Sequence, residues 1–91
     1  MKTVRLDCRN MKTKGEAHEY IAKTLGFPDY YGKNLDALYD CLTEFCRDTL
    51  IVIRYSSVLK EQLGDYGADL LDTFADAEKA AAALSVVVTE K

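Results

Sequence analysis

Residues 50–53 read Leu-Ile-Val-Ile, four apolar side chains in succession with three β-branched among them. A strand that never alternates with polar residues reads as one buried on both faces. Two further strand signals flank it. Val4, Leu6 and Cys8 alternate with polar residues, which marks a strand from about Thr3 to Asp7. Leu84-Ser85-Val86-Val87-Val88 marks a third near the end of the chain.

Helical signals fill both gaps. Thr13 and Glu16 have the spacing of a capping box. The helix from about Lys14 to Leu25 then carries Ala17, Ile21 and Leu25 on one face, with Tyr20 beside them. Gly26 and Pro28 end it. His18, between Ala17 and Glu19, is expected on an exposed polar flank with no special role. Asn34 is a strong N-cap for a second helix whose core face reads Leu35, Leu38, Cys41, Leu42 and Phe45. Ser57 is expected to cap a short helix from Val58 to Leu63, ended by Gly64. A last helix, about Asp65 to Ala82, presents Leu70, Leu71, Phe74, Ala77 and Ala81 to the core. Strands joined by helical crossovers favour a parallel sheet connected in the right-handed sense. The expectation is an α/β fold: one small domain over residues 1–91, a three-stranded parallel sheet packed with about four helices.

Composition narrows the function classes. With 91 residues, 48% hydrophobic and only one proline, the chain suits one globular core and not a disordered tail. No stretch approaches the roughly 18 apolar residues of a membrane span, and the N-terminus lacks the apolar segment of a signal peptide. A cytoplasmic protein is therefore expected. The formal charge of −3 opposes nucleic-acid binding, which usually needs a basic face. Three cysteines, Cys8, Cys41 and Cys46, with a single histidine form neither a disulfide set nor a zinc inventory. They are expected as reduced thiols, mostly buried. No phosphate-binding glycine loop, GxSxG or HExxH is present.

The informative positions are acidic. Asp36, Asp40 and Glu44 lie four apart on the second helix, where like charges weaken an isolated helix by roughly 0.2–0.5 kcal/mol per pair. Glu44 also sits in the last turn, where the helix dipole disfavours it. Asp65, Asp69, Asp72 and Asp76 form a second stripe without lysine or arginine among them. Solvated helix faces are the plain reading of both. A metal site needs converging oxygens, and aspartates on a rigid helix diverge. Paired carboxylates for glycoside hydrolysis need a deep cleft, which so short a chain can barely build. Tyr30 and Tyr39, beside the first stripe, add flat amphipathic contact area of the kind enriched at interfaces. Aromatics among aligned acids suit a basic, concave partner.

The segment LGFPDYYGKNLDALYDCLTEF, Leu25 to Phe45, resembles the central motif of the barstar family, intracellular inhibitors of secreted barnase-type ribonucleases. The likeness extends more weakly through LIVI, Gly67-Ala68, Phe74 with Asp76, and the last strand. The resemblance implies inhibition by steric and electrostatic blockade: the second helix and its preceding loop plug the nuclease active site. On that reading Asp40 mimics an RNA phosphate, Asp36 pairs with an arginine of the enzyme and Tyr30 packs on the catalytic histidine. Asn34 and Leu35 touch the base-recognition side, and Asp76 adds an acidic contact from the last helix. Tyr39, Thr43 and Glu44 complete the expected partner-binding set. Charge-steered association, for which barnase and barstar are themselves a standard example, supplies the logic.

Departures bear on the partner. Tyr39 and Phe45 stand where the family has tryptophan, and Glu44 where it has glycine. Lys33 replaces an acid, and Asp76 is one methylene shorter than the family's glutamate. The expected partner is thus a barnase-type ribonuclease or a toxin nuclease domain, bound one-to-one by a free monomer, with no nucleic acid, membrane, metal or cofactor and no catalysis. The alternatives are an interaction module for a basic partner that is not a nuclease, and a small enzyme using paired carboxylates in a cleft.

Overall fold

The computed structural model describes residues 1–91 throughout. Strands β1 (Lys2–Asp7), β2 (Thr49–Arg54) and β3 (Leu84–Val88) form one parallel sheet in that order, so the apolar run is central. Register aligns Val4 and Val86 with Ile51, and Leu6 and Val88 with Ile53, on one face. On the other face Thr3 and Ser85 flank Leu50, and Arg5 and Val87 flank Val52.

The two faces differ. Val4, Leu6, Ile51, Ile53 and Leu84 are buried on the first, within a contiguous core of 20 apolar residues. No residue of the second face is buried: Leu50 and Val52 are half-buried and Val87 is exposed. The expectation of a strand covered on both faces is corrected, because the helical layer lies on one side only. Leu50 and Val52 are flanked laterally by Thr3, Arg5, Ser85 and Val87, which shield an apolar central strand in part without a second layer.

Helix α1 (Lys14–Leu25) is capped by Thr13, whose hydroxyl accepts from the Glu16 amide at 3.1 Å. It stops where Gly26 adopts a left-handed conformation, φ 74°. Helix α2 (Leu35–Phe45) starts at Asn34 as the sequence predicts. Its buried residues are Leu38, Cys41 and Leu42; Leu35 is half-buried and Phe45 is 45% exposed, so Phe45 does not join the core as expected.

Helix α3 (Ser56–Leu63) begins two residues before the predicted start, and Ser57 does not cap it. Tyr55 sits at the cap in a left-handed conformation with no side-chain hydrogen bond, while the Ser56 amide donates to the Thr89 carbonyl. The Arg9 guanidinium lies 3.9 Å from the Tyr55 ring centroid and holds this turn by a cation–π contact. Helix α4 (Asp65–Ala80) ends two residues early, because the chain turns through left-handed Ala83 to feed β3. Leu70, Phe74 and Ala77 are buried as predicted, with Leu71 and Ala81 partly so. Gly67 permits the α3–α4 contact: a Cβ there would lie 2.8 Å from the Leu59 carbonyl oxygen.

Both sheet edges are blunted by helix side chains. On β1 the Asp7 amide donates to the Tyr20 hydroxyl at 2.9 Å. On β3 the Val86 amide donates to a Glu78 carboxylate oxygen at 2.6 Å. Such caps remove donors that a passing strand could otherwise pair with.

Candidate partner-binding face

The face begins in the connection between α1 and α2. Pro28 starts a turn in which the Tyr31 amide donates to the Pro28 carbonyl at 3.0 Å. Tyr31 points into the core and packs on Phe27 with ring centroids 5.2 Å apart. Tyr30, its neighbour, points outward and is 79% exposed. The turn, with Asp29 and Tyr30 at its central positions, thus anchors one tyrosine in the core and leaves the other open to solvent. Gly32 lets the loop close on α2, since a Cβ would come within 3.3 Å of the Ala37 Cβ.

His18 supports the anchor. It is 1% exposed, and its Nδ1 lies 2.6 Å from the Tyr31 hydroxyl while its Nε2 lies 2.6 Å from the Tyr66 hydroxyl. A neutral imidazole satisfies both, as donor at one nitrogen and acceptor at the other. Burial lowers the His18 pKa, and the nearby Lys33 charge adds to the effect. Burial likewise raises those of Tyr31 and Tyr66, so the phenols stay protonated. The exposed, idle histidine expected from the sequence is therefore corrected. The signal was present: His18, Ile21 and Leu25 recur at helical spacing on the core face, which the neighbouring polar residues obscured.

On α2 the acids align as predicted, and Asp36, Asp40 and Glu44 are all exposed. The ion pairs of the chain are Arg9–Asp7 and Lys33–Glu19, so none of these three is neutralised internally. Lys33, the one cation in the loop, is held toward α1 by Glu19 at 3.3 Å. Asn34 is exposed, but its side chain is engaged: Oδ1 accepts from the Ala37 amide at 2.7 Å and Nδ2 donates to the Gly32 carbonyl at 3.3 Å. Leu35 and Tyr39 are half-buried, packed against the core and partly open. The Thr43 hydroxyl donates back to the Tyr39 and Asp40 carbonyls at 3.1 and 3.0 Å.

A shallow groove of about 250 Å³ runs between the loop and α2. Tyr30, Asp40, Glu44 and Phe45 border it, with Gly32, Ala37 and Cys41 along its floor. The structure thus brings Tyr30, Asp40 and Glu44 together, whereas Asp36 and Asp76 lie outside this groove. Burial, with the charges of Glu44 and Asp40, raises the Cys41 pKa, which keeps that thiol protonated and inert. Helices α2 and α4 precede parallel strands of one sheet and run in the same direction. Thr43 and Ala80 to Ala83 border a common hollow, and Asp76 is exposed on α4 one turn before Ala80.

Comparison with known proteins identifies the family. A family model described as Barstar (barnase inhibitor) matches residues 1–89. A Bacillus subtilis (strain 168) protein named "Putative ribonuclease inhibitor YrdF" is 35% identical over 80 residues, covering 87% of this chain and 88% of its own. With its parallel sheet, its α2 acids and a family match over nearly its whole length, the chain belongs to the barstar family.

Proposed function

We propose that the protein inhibits a basic ribonuclease of the barnase type, or a toxin nuclease domain, by seating α2 and the Pro28–Lys33 loop in its active site. The observation that carries this reading is the grouping of exposed Tyr30 with the un-neutralised carboxylates of Asp40 and Glu44 along one groove, with un-neutralised Asp36 on the same helix stripe. A basic active-site cleft presents cations spaced for RNA phosphates, and fixed carboxylates on a helix take those positions at little entropic cost. Asp40 and Tyr30 form the centre of the contact. Asp36 and Leu35 lie toward the start of the helix and Asp76 extends the acid surface onto α4. Asn34 and Thr43 act chiefly by holding α2 in shape. The inhibitor works by occupation and performs no chemistry, and one copy binds one nuclease in the cytoplasm.

Glu44 and Phe45 differ from the family pattern at the edge of the groove, which favours a cognate nuclease distinct from barnase itself. The test is a panel of purified barnase-type ribonucleases and toxin nuclease domains assayed with the protein and its Asp40→Ala variant. Inhibition of one nuclease, lost in the variant, supports the reading. Inhibition of none, together with capture of a basic protein that is not a nuclease, would replace it with the interaction-module alternative.

A further inference from the structure

The sheet face opposite the helices is a second surface, independent of the inhibitory reading. Parallel sheets are ordinarily covered on both sides, yet Thr3, Arg5, Leu50, Val52, Ser85 and Val87 lie in register with none of them buried. The centre is aliphatic: Leu50 and Val52 are half-buried and Val87 is 46% exposed. Its charge opposes that of the chain, whose formal net charge is −3. Exposed Arg5 and Arg54 lie on this face, Arg54 donating through Nε to the Lys91 carbonyl at 3.3 Å, and the only carboxylate within the three strands, Asp7, is in register with Arg54 and paired with Arg9 at 2.8 Å.

We propose that this face docks an acidic amphipathic helix of a partner protein. Its apolar stripe would cover Leu50, Val52 and Val87 and its carboxylates would meet Arg5 and Arg54, completing the layer that the fold lacks. Self-association fits poorly, because two copies packed face to face oppose arginine with arginine. Single-stranded nucleic acid needs open aromatic rings for stacking, and the rim tyrosine, Tyr55, has a guanidinium over its ring at 3.9 Å.

The test titrates three probes into the isotope-labelled protein and follows backbone amides: a designed helix with a leucine stripe flanked by glutamates, its lysine-flanked counterpart, and oligouridylate. The glutamate helix is expected to shift the amides of Arg5, Val52 and Val87 and the lysine helix to leave them unmoved. Binding should fall about tenfold in the Arg5→Glu/Arg54→Glu variant and stay unchanged in Asp40→Ala. Val87→Glu, at an exposed edge position, provides a second disruption should the double variant lose its native circular dichroism. Equal binding of the two helices, oligouridylate at the same strands, or no shift with any probe overturns the proposal. Nuclease inhibition should survive Arg5→Glu/Arg54→Glu, so the two readings fail separately.

Discussion

The His18 imidazole bridges two hydroxyls, Tyr31 on the loop and Tyr66 on α4, at 2.6 Å each. The bridge ties α1, the Pro28–Lys33 loop and α4 into one unit through Tyr31, the neighbour of exposed Tyr30.

Acid should loosen this unit. The folded state lowers the His18 pKa through burial, with Lys33 contributing. Above the ordinary histidine value of about 6.5 the ring is neutral in both folded and unfolded chains, and it contributes no pH dependence. Below that value the unfolded chain takes up a proton that the folded one resists, so stability falls progressively toward the lower folded pKa. Urea midpoints are expected to drop between about pH 7.5 and pH 5, with a shallower slope in His18→Gln.

At the centre of the groove, Asp40→Ala should leave stability within about 0.5 kcal/mol, since the side chain is exposed and unpaired. Tyr30→Ala should behave alike. Each is expected to weaken nuclease binding by at least about 2 kcal/mol, the hot-spot threshold, for which barstar is itself among the examples. Calorimetric titration beside thermal melts separates the two effects. Association rates of the unmodified protein should fall as salt rises.

Glu44 should show opposite signs in stability and binding. Its charge stands in the last turn of α2, next to the negative end of the helix dipole. Glu44→Gln should raise stability by about 0.3–1 kcal/mol while slowing association with a basic nuclease. Stopped-flow rates and urea midpoints on the same variant check both signs.

Asn34 makes its case through the cap. Losing the 2.7 Å bond to the Ala37 amide in Asn34→Ala should cost about 1 kcal/mol, and Asn34→Asp should retain most of it. Urea midpoints of the two variants distinguish capping from direct contact, since a pure contact residue would leave both midpoints alone.

Gly67→Ala should be among the most damaging single-methyl changes. The added Cβ would meet the Leu59 backbone oxygen at 2.8 Å, a group that cannot swing aside. A loss of about 1–3 kcal/mol is expected in chemical denaturation.

What could be read from the sequence follows from how local each signal is. Asn34, Thr13 and Gly26 act within a few residues of themselves, and the ends they set for α1 and the start of α2 match prediction. The stripe of Asp36, Asp40 and Glu44 needed only helix geometry. Burial of His18 is legible in its helical spacing with Ile21 and Leu25, but its partners, Tyr31 and Tyr66, are 13 and 48 residues away and no local pattern names them. The same holds for β2: an apolar run marks a strand, but neither its place in the sheet nor the number of layers that cover it. The start of α3 was set by the Thr89 carbonyl at the far end of the chain, beyond the reach of any capping rule.

The pairing of Lys2 with Thr49 at the start of the sheet bears on how the protein comes into being. The proposed contact segment, residues 28–45, leaves the ribosome before β2, before Tyr66 and before the α4 residues packed against it. Emerging N-terminus first, it lacks a scaffold until most of the polypeptide has followed, and such long-range pairing folds slowly. Under the proposed inhibitory role, protection therefore comes from chains completed before the nuclease is met, since a nascent chain has not yet joined the loop and α2 to the elements that hold them.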